Sequence, residues 1–356
     1  MREVIIQFPT QFLYEPTIQN EANLKINAVY TIHNLQKFIV VGMGGSHLAA
    51  DLIKYVNPYL PMHIHRDYGL PELPYGELAS SLVIAVSHSG NTEETLDAFK
   101  EALTPINPAL NPRRKIPHLA AITCGGELLR LAKEQDVPYI QIPDTGIPPR
   151  SATGFLTKAL LKLMRQDRML GSLTKLADII KPSDIEPGGQ RIATQIKDRV
   201  PNIYSSDKNT TLAQNWKIRL NETAKIPAFY NVLPELNHNE MTGFDVCDAT
   251  RRLSRRFFFI LLTDARDHPR VQLRMQILER FYRERGLNVG AVELPNLELD
   301  TFPFFDQRYM VKLHKAFYSI ILADWTAYHL ARSYGIDPVS IPMVEEFKKL
   351  MTAENK

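Results

Sequence analysis

Two cysteines in 356 residues, Cys124 and Cys247, are too few and too far apart for a disulfide framework or a zinc cluster. Charge of one sign is also lacking. Against 42 basic side chains stand 39 acidic ones, a net charge of +3, so no field favours nucleic acid or an anionic membrane. Long apolar runs are missing too: the longest without a charge, "AFYSIILA", falls far short of the ~20 residues that span a bilayer. The opening "REVIIQFPTQFLYEP" has no continuous apolar core of the kind a signal peptide needs. A reducing, cytoplasmic setting with no membrane or nucleic-acid partner is the expectation, with both cysteines buried and inert.

What is present is a repeating strand–turn–helix pattern. "KFIVVGMGGSHLAADLIKYV" runs from β-branched Ile39, Val40 and Val41 through a glycine turn into a helix with Leu48, Leu52 and Ile53 on one face. "MHIHRDYGLP" reads as a short strand, and "SLVIAVSHSGNTEETLDAFKEAL" and "HLAAITCGGELLRLAKEQ" repeat the full pattern. "VPYIQIP" follows, then the helix "GFLTKALLKLMRQ". The Pro and Gly of "DIIKPSDIEPGGQRI" suggest an interdomain crossing. Beyond it the pattern restarts: "PNIYSS" before "TLAQNWKIRLNETAK", "FFFILLT" before "HPRVQLRMQILERFYRERG", then "NVGAVELP" and a long closing helix, "MVKLHKAFYSIILADWTAYHLARSYG". Apolar strands alternating with amphipathic helices predict an α/β fold with parallel sheets covered on both faces, built as two similar halves. The strand order is not legible. The expected division is a helical N-terminal segment at 1–35, a first domain at 36–188, a second at 189–335 and a closing helix at 336–356.

Chemistry concentrates in two turns. "SHSGNT" places Ser87, Ser89 and Thr92 at the carboxyl end of a strand and the start of a helix, where ligands bind in open parallel sheets. Backbone N–H groups and a partial positive charge there favour an anion, and the hydroxyls add donors suited to a phosphate monoester. Capping is the structural alternative, although one such residue would suffice for it. The lysine and spacing of a Walker A loop are absent. In "GMGGSH" the dinucleotide fingerprint fails, because His47 stands where the third glycine belongs. This turn fits instead as a second wall around a sugar phosphate.

"GMGGSHLAADL" followed by "SHSGNTEETL" resembles the sugar isomerase (SIS) domain. "GIPPRSATGF", "ELNHNEMTGF", "DHPRVQLRM" and "GIDPVSIPMVEEFKKLM" extend the likeness across nearly the whole chain to the bifunctional phosphoglucose/phosphomannose isomerases. That resemblance implies two SIS-type domains, each a flavodoxin-like three-layer α/β/α sandwich, acting on a small phosphosugar. It implies that Gly45, Ser46, Ser87, Ser89 and Thr92 hold the phosphate. Arg150 would stabilise developing negative charge, and Glu240 would move the proton between C2 and C1. His268, given by the neighbouring subunit of a homodimer, would assist ring opening. Lys348, or Lys349, would contact the sugar ring. Aldose–ketose isomerisation by this route needs neither metal nor cofactor.

Each of these residues also has a structural reading. Glu240 could be a surface helix charge, although Asn237, His238 and Asn239 make its neighbourhood unusually polar. His268 could cap the helix after Pro269, Arg150 could be a solvated loop residue, and Lys348 could sit on a solvated helix face. His47 and His88 depart from the family pattern and, if protonated near the phosphate, would strengthen anion binding. Where dual-specificity relatives carry a threonine, this chain has Ser340 as the nearest hydroxyl. Two rival functions are a non-catalytic phosphosugar-binding protein and an isomerase of another phosphosugar.

Overall fold

Among the described residues nine strands form two separate sheets, in which every strand lies parallel to its neighbours. The structure is a computed structural model that describes residues 1–24, 37–104, 116, 118–297 and 304–354. Two compact units divide the chain, and each is built on one sheet. The first comprises Gln7–Ile179 with Thr301–Leu313; the second comprises Met1–Ile6, Ile180–Asp300 and His314–Lys356.

The first sheet contains β1 (Lys37–Val41), β2 (Met62–His65), β3 (Ser81–Val86), β4 (Leu119–Thr123) and β5 (Tyr139–Gln141), in the order β2-β1-β3-β4-β5. This is the flavodoxin-like order, whose switch point lies between β1 and β3. The central strands read as unbroken apolar runs because helices cover both faces: Ile39, Val40, Ile84 and Ala120 are fully buried. Removing each such branched aliphatic side chain from water contributes roughly 1.5–3 kcal/mol before entropy is counted.

The second sheet, β6 (Val200–Ser206), β7 (Phe229–Leu233), β8 (Phe257–Thr263) and β9 (Asn288–Glu293), runs β7-β6-β8-β9, the same order with one strand fewer. Its switch point therefore falls between β6 and β8. β7 was not anticipated from sequence, since its first four residues are exposed or half-buried and only Leu233 is buried.

The α/β architecture and the paired parallel sheets agree with expectation. Three readings need correction or qualification. The Pro- and Gly-bearing segment read as a crossing does carry the boundary between the units, at Ile179–Ile180, but most of it is a helix, Pro182–Ile196, with Pro182 in its first turn where no N–H is required. Gly189 is there for close approach: a Cβ on it would stand 2.4 Å from the Cβ of Trp325. Cys247 is exposed, not buried, and its thiol lies 3.1 Å from the Thr250 hydroxyl, whose hydrogen bond lowers the thiol pKa. Cys124 is buried as expected, and burial pushes its thiol up to about 11. Of the N-terminal segment, Arg2–Ile6 is helical and Phe8–Leu13 and Glu21–Asn23 form tight 3-10 turns; residues 25–36 lie outside the described residues.

Candidate functional site

At the switch point of the first sheet, the β1 and β3 turns meet through side chains that the chain order brings together. Ser46, buried in the first turn of the helix Gly45–Val56, accepts a hydrogen bond from the His88 N–H at 3.1 Å. Ser87 is fully buried; its hydroxyl lies 2.9 Å from that of Thr92 and accepts from the Gly90 N–H at 3.0 Å. Ser87 therefore shapes the turn from within. Thr92 stands at the N-cap of the helix Glu93–Leu103, yet its side chain makes no capping hydrogen bond. Simple capping thus does not account for this threonine. Ser89 is exposed, and its hydroxyl accepts from the Asn91 N–H at 3.2 Å.

Arg150 lies against the same corner. It belongs to the turn Pro149–Ser151 and is only 1% exposed, so it is no solvated loop residue. The turn closes onto the helix N-terminus because position 45 has no side chain: a Cβ on Gly45 would stand 2.8 Å from both the Arg150 nitrogen and the Pro149 carbonyl carbon. Gln11, which sequence reasoning missed, braces the turn. Its Nε2 donates to the Ser151 carbonyl at 2.8 Å, and its Oε1 accepts from the Gly154 N–H at 3.0 Å. One glutamine therefore satisfies both sides of the connection.

The two unexpected histidines at this corner have different surroundings. His47 Nδ1 lies 2.6 Å from Asp51, which Arg66 also engages at 2.5 Å. A carboxylate thus faces that side of the ring. Burial lowers the pKa of His88, with Asp144 opposing the shift, so the ring favours its neutral form at pH 7.

In the second unit Glu240 opens the short helix Glu240–Gly243, which Asn239 caps by accepting from the Glu240 N–H. The Glu240 carboxylate is half-buried and is not a free surface charge. Oε1 accepts from the Tyr204 hydroxyl at 2.6 Å and from Asn202 Nδ2 at 2.8 Å, while Oε2 accepts from Asn231 Nδ2. Asn202 and Tyr204 share one face of β6 because strand side chains alternate, and Asn231 on β7 is registered directly with Tyr204. These three donors were missed. Their signal was polar side chains at period two inside "PNIYSS" and "FYNVL". Burial, then the nearby Tyr282 and Glu240, hold the Tyr204 phenol far above its ordinary range, so it stays protonated and donates.

His268 is exposed and does cap: its Nδ1 accepts from the Arg270 N–H at 3.1 Å. A ring nitrogen that accepts carries no proton, so the neutral ring holds its proton on Nε2. The turn before it is strongly braced. Lys315 donates to Asp264 Oδ1 at 2.5 Å, and Asn209 Nδ2 reaches Asp264 Oδ2 at 3.1 Å and Asp267 Oδ1 at 3.3 Å. Burial would raise the Asp264 pKa, but hydrogen bonds from Lys315 and the Arg266 N–H more than offset it. These buried charged and polar groups stand at the carboxyl ends of β6 and β8, where the first unit has its hydroxyl turn. Asn237 accepts from Arg274 at 3.3 Å, tying the segment before Glu240 to the helix that His268 begins. His238, by contrast, is exposed. Lys348 and Lys349 are exposed on the helix Pro342–Glu354, and the Ser340 N–H ahead of that helix donates to Asp337.

Residues 186–351 match the family described as the bacterial phospho-glucose isomerase C-terminal SIS domain. A bifunctional phosphoglucose/phosphomannose isomerase of Aquifex aeolicus (strain VF5) is 31% identical over 317 residues, 87% of this chain and 89% of the relative. Another, from Thermoplasma acidophilum, is 30% identical over 331 residues, 92% and 93% of the two chains. The chain belongs to the bifunctional phosphoglucose/phosphomannose isomerase family. The fold has the corresponding likeness: a hypothetical protein from Thermus thermophilus superposes with a TM-score of 0.68 at 16% identity, covering 99% of this chain and 90% of that one. For this isomerase family member, the groups described above divide cleanly by unit. Gly45, Ser46, Ser87, Ser89, Thr92 and Arg150 gather in the first, whereas Glu240, His268 and Lys348 belong to the second.

Proposed function

We propose that the protein interconverts glucose 6-phosphate and fructose 6-phosphate, and acts on mannose 6-phosphate as well. Family membership supports the substrate class. The observation that carries the chemistry is Glu240, a half-buried carboxylate held by three uncharged donors and paired with no lysine or arginine among the described residues. Such a group is oriented without being neutralised, as a general base must be.

In this reading the Gly45–Ser46 and Ser87–Thr92 turns take the phosphate. His268 offers its Nε2–H to the ring oxygen as the C–O bond breaks, and that oxygen takes up the proton that the anomeric hydroxyl releases. Glu240 then removes the C2 proton; the electron pair moves into an enediolate, the same proton returns to C1, and the O2 hydroxyl proton passes to O1, leaving the ketose carbonyl at C2. Arg150 stabilises the enediolate charge, an electrostatic role that a buried, pre-positioned guanidinium serves well. Lys348 contacts the sugar hydroxyls. The reading places the protein in the cytoplasm and in glycolytic and gluconeogenic sugar metabolism; among the described residues no helix is long and apolar enough to cross a membrane.

Incubating pure protein with fructose 6-phosphate and identifying the aldose phosphates tests the proposal. Glucose 6-phosphate with mannose 6-phosphate is the expected result. Glucose 6-phosphate alone would remove the second activity, and no aldose would leave a binding protein. For the phosphate turn, Ser89→Ala combined with Thr92→Ala is expected to raise KM for fructose 6-phosphate roughly tenfold or more, since hydrogen bonds to charged groups are each worth about 1.5–3 kcal/mol. An unchanged KM would show that these hydroxyls serve only the loop.

A homodimer belongs to the same proposal. The helix Pro342–Glu354 exposes Met343 (82%), Phe347 (62%) and Leu350 (58%), spaced to form one apolar stripe. We expect sedimentation to give twice the 40.6 kDa chain mass, and Phe347→Glu to shift the equilibrium toward monomer. A monomer in the unaltered protein would exclude the subunit-shared site.

A further inference from the structure

The geometry around Glu240 points to Tyr204 and Asn202 as positioning residues that occupy one carboxylate oxygen and leave the other to carry the proton. This rests on the reading of Glu240 as the base. A carboxylate offers about four lone-pair sites, two on each oxygen. Oε1 accepts twice, from Tyr204 at 2.6 Å and Asn202 at 2.8 Å, and so has no site left. Among the described residues Oε2 accepts once, from Asn231, which leaves one site open. The proton taken from carbon is therefore received at Oε2, and the C–H electron pair passes to the carbonyl to form the enediolate.

Fixing Oε1 also fixes the plane of the carboxylate and hence the direction of the open site on Oε2. The donors themselves are firmly held. Tyr204 is fully buried and packs against Phe259, with ring centroids 5.4 Å apart, and Asn202 is 4% exposed with its Nδ2 also 3.3 Å from the Tyr204 hydroxyl. Asn231 is fixed through its own Oδ1, which accepts from the Val232 N–H at 2.8 Å. None of the three donors carries a charge, so they orient the carboxylate without forming an ion pair with it.

The experiment compares pH–rate profiles of the full-length protein and its Tyr204→Phe and Asn202→Ala variants with fructose 6-phosphate. Each variant removes a donor to the ionised form, so protonation of the base becomes easier and the acid limb of the kcat profile moves to higher pH, by about one unit. At neutral pH kcat is expected to fall about tenfold or more with KM changed less than twofold, because the substrate phosphate is held elsewhere. Should Tyr204→Phe fold poorly, as a melting curve would show, Asn202→Ala carries the test through the same oxygen. An acid limb that stays in place in a folded variant overturns the proposal, whatever happens to the rate. Glu240→Gln separates this outcome from failure of the underlying reading: if that variant keeps its turnover, Glu240 is not the base; if it is inactive while the acid limb in Tyr204→Phe does not move, only the positioning role is lost.

Discussion

Glu240→Gln is expected to reduce kcat for fructose 6-phosphate by roughly 10²–10⁴, the usual worth of a positioned general base. The substitution preserves shape and removes the charge. A glutamine carbonyl turned toward Tyr204 and Asn202 still accepts from both, so the aromatic packing around them has no cause to shift. Its amide then meets Asn231, whose own amide now donates to Glu240. Two donors face to face cost about 1–3 kcal/mol unless one of them turns. A modest loss of stability is therefore expected alongside a large loss of rate. Calorimetric titration with fructose 6-phosphate should give binding within a few-fold of the unaltered protein if, as proposed, the hydroxyl turns at the ends of β1 and β3 take the phosphate. Turnover near the normal rate in a folded variant would remove Glu240 from the mechanism.

What could be read in the sequence follows from which effects are local. The central strands were legible because a strand buried on both faces must be apolar throughout, as in "KFIVV" and "SLVIAV". The hydroxyl turn was legible as a turn because the strand Ser81–Val86 ends and the helix Glu93–Leu103 begins within one short stretch of chain. The burial of Arg150 was not. It depends on Gly45, more than 100 positions earlier, leaving room for the Pro149–Arg150 backbone. The donors to Glu240 were equally hidden, since Asn202 and Tyr204 stand 38 and 36 residues away and reach it only through the pairing of β6 with β7. The helix Pro182–Ile196, which begins just past the crossing between the units at Ile179–Ile180, was not legible for the opposite reason. Its glycine pair resembles a linker, but Gly189 answers to Trp325, and no local rule distinguishes a glycine that bends the chain from one that admits a neighbour. β7 was missed because a half-exposed strand lacks the apolar run used to find the others. The order β2-β1-β3-β4-β5 is a property of the assembled sheet, and no single segment encodes it.

Asp324→Ala should destabilise the second unit by about 3–5 kcal/mol. Arg219, on the helix Thr210–Ala224, is fully buried; its Nε stands 3.0 Å from Asp324 Oδ1 on the helix Phe304–Ser333, and Asp324 is itself only 2% exposed. Asn215 accepts from the same guanidinium at 2.7 Å, and Trp216, one residue on, donates to Ser319 at 3.0 Å. The pair therefore sits inside the seam between the two helices. Two opposing terms govern its energetics: each ion loses its hydration on burial, and their mutual attraction in a low dielectric returns about the same amount. Removing one partner leaves the first cost standing without the second, which is why a single substitution is so disruptive. Replacing both partners cancels both terms. Arg219→Met with Asp324→Leu is accordingly expected to recover most of the loss, leaving only the fit of the new side chains to decide the remainder. Urea unfolding of the two variants, followed by circular dichroism, measures this directly. If Asp324→Ala costs under about 1 kcal/mol, water has reached the seam and the pair is solvated. If the double variant is no more stable than the single one, the helices depend on the pair for their register rather than for its charge balance.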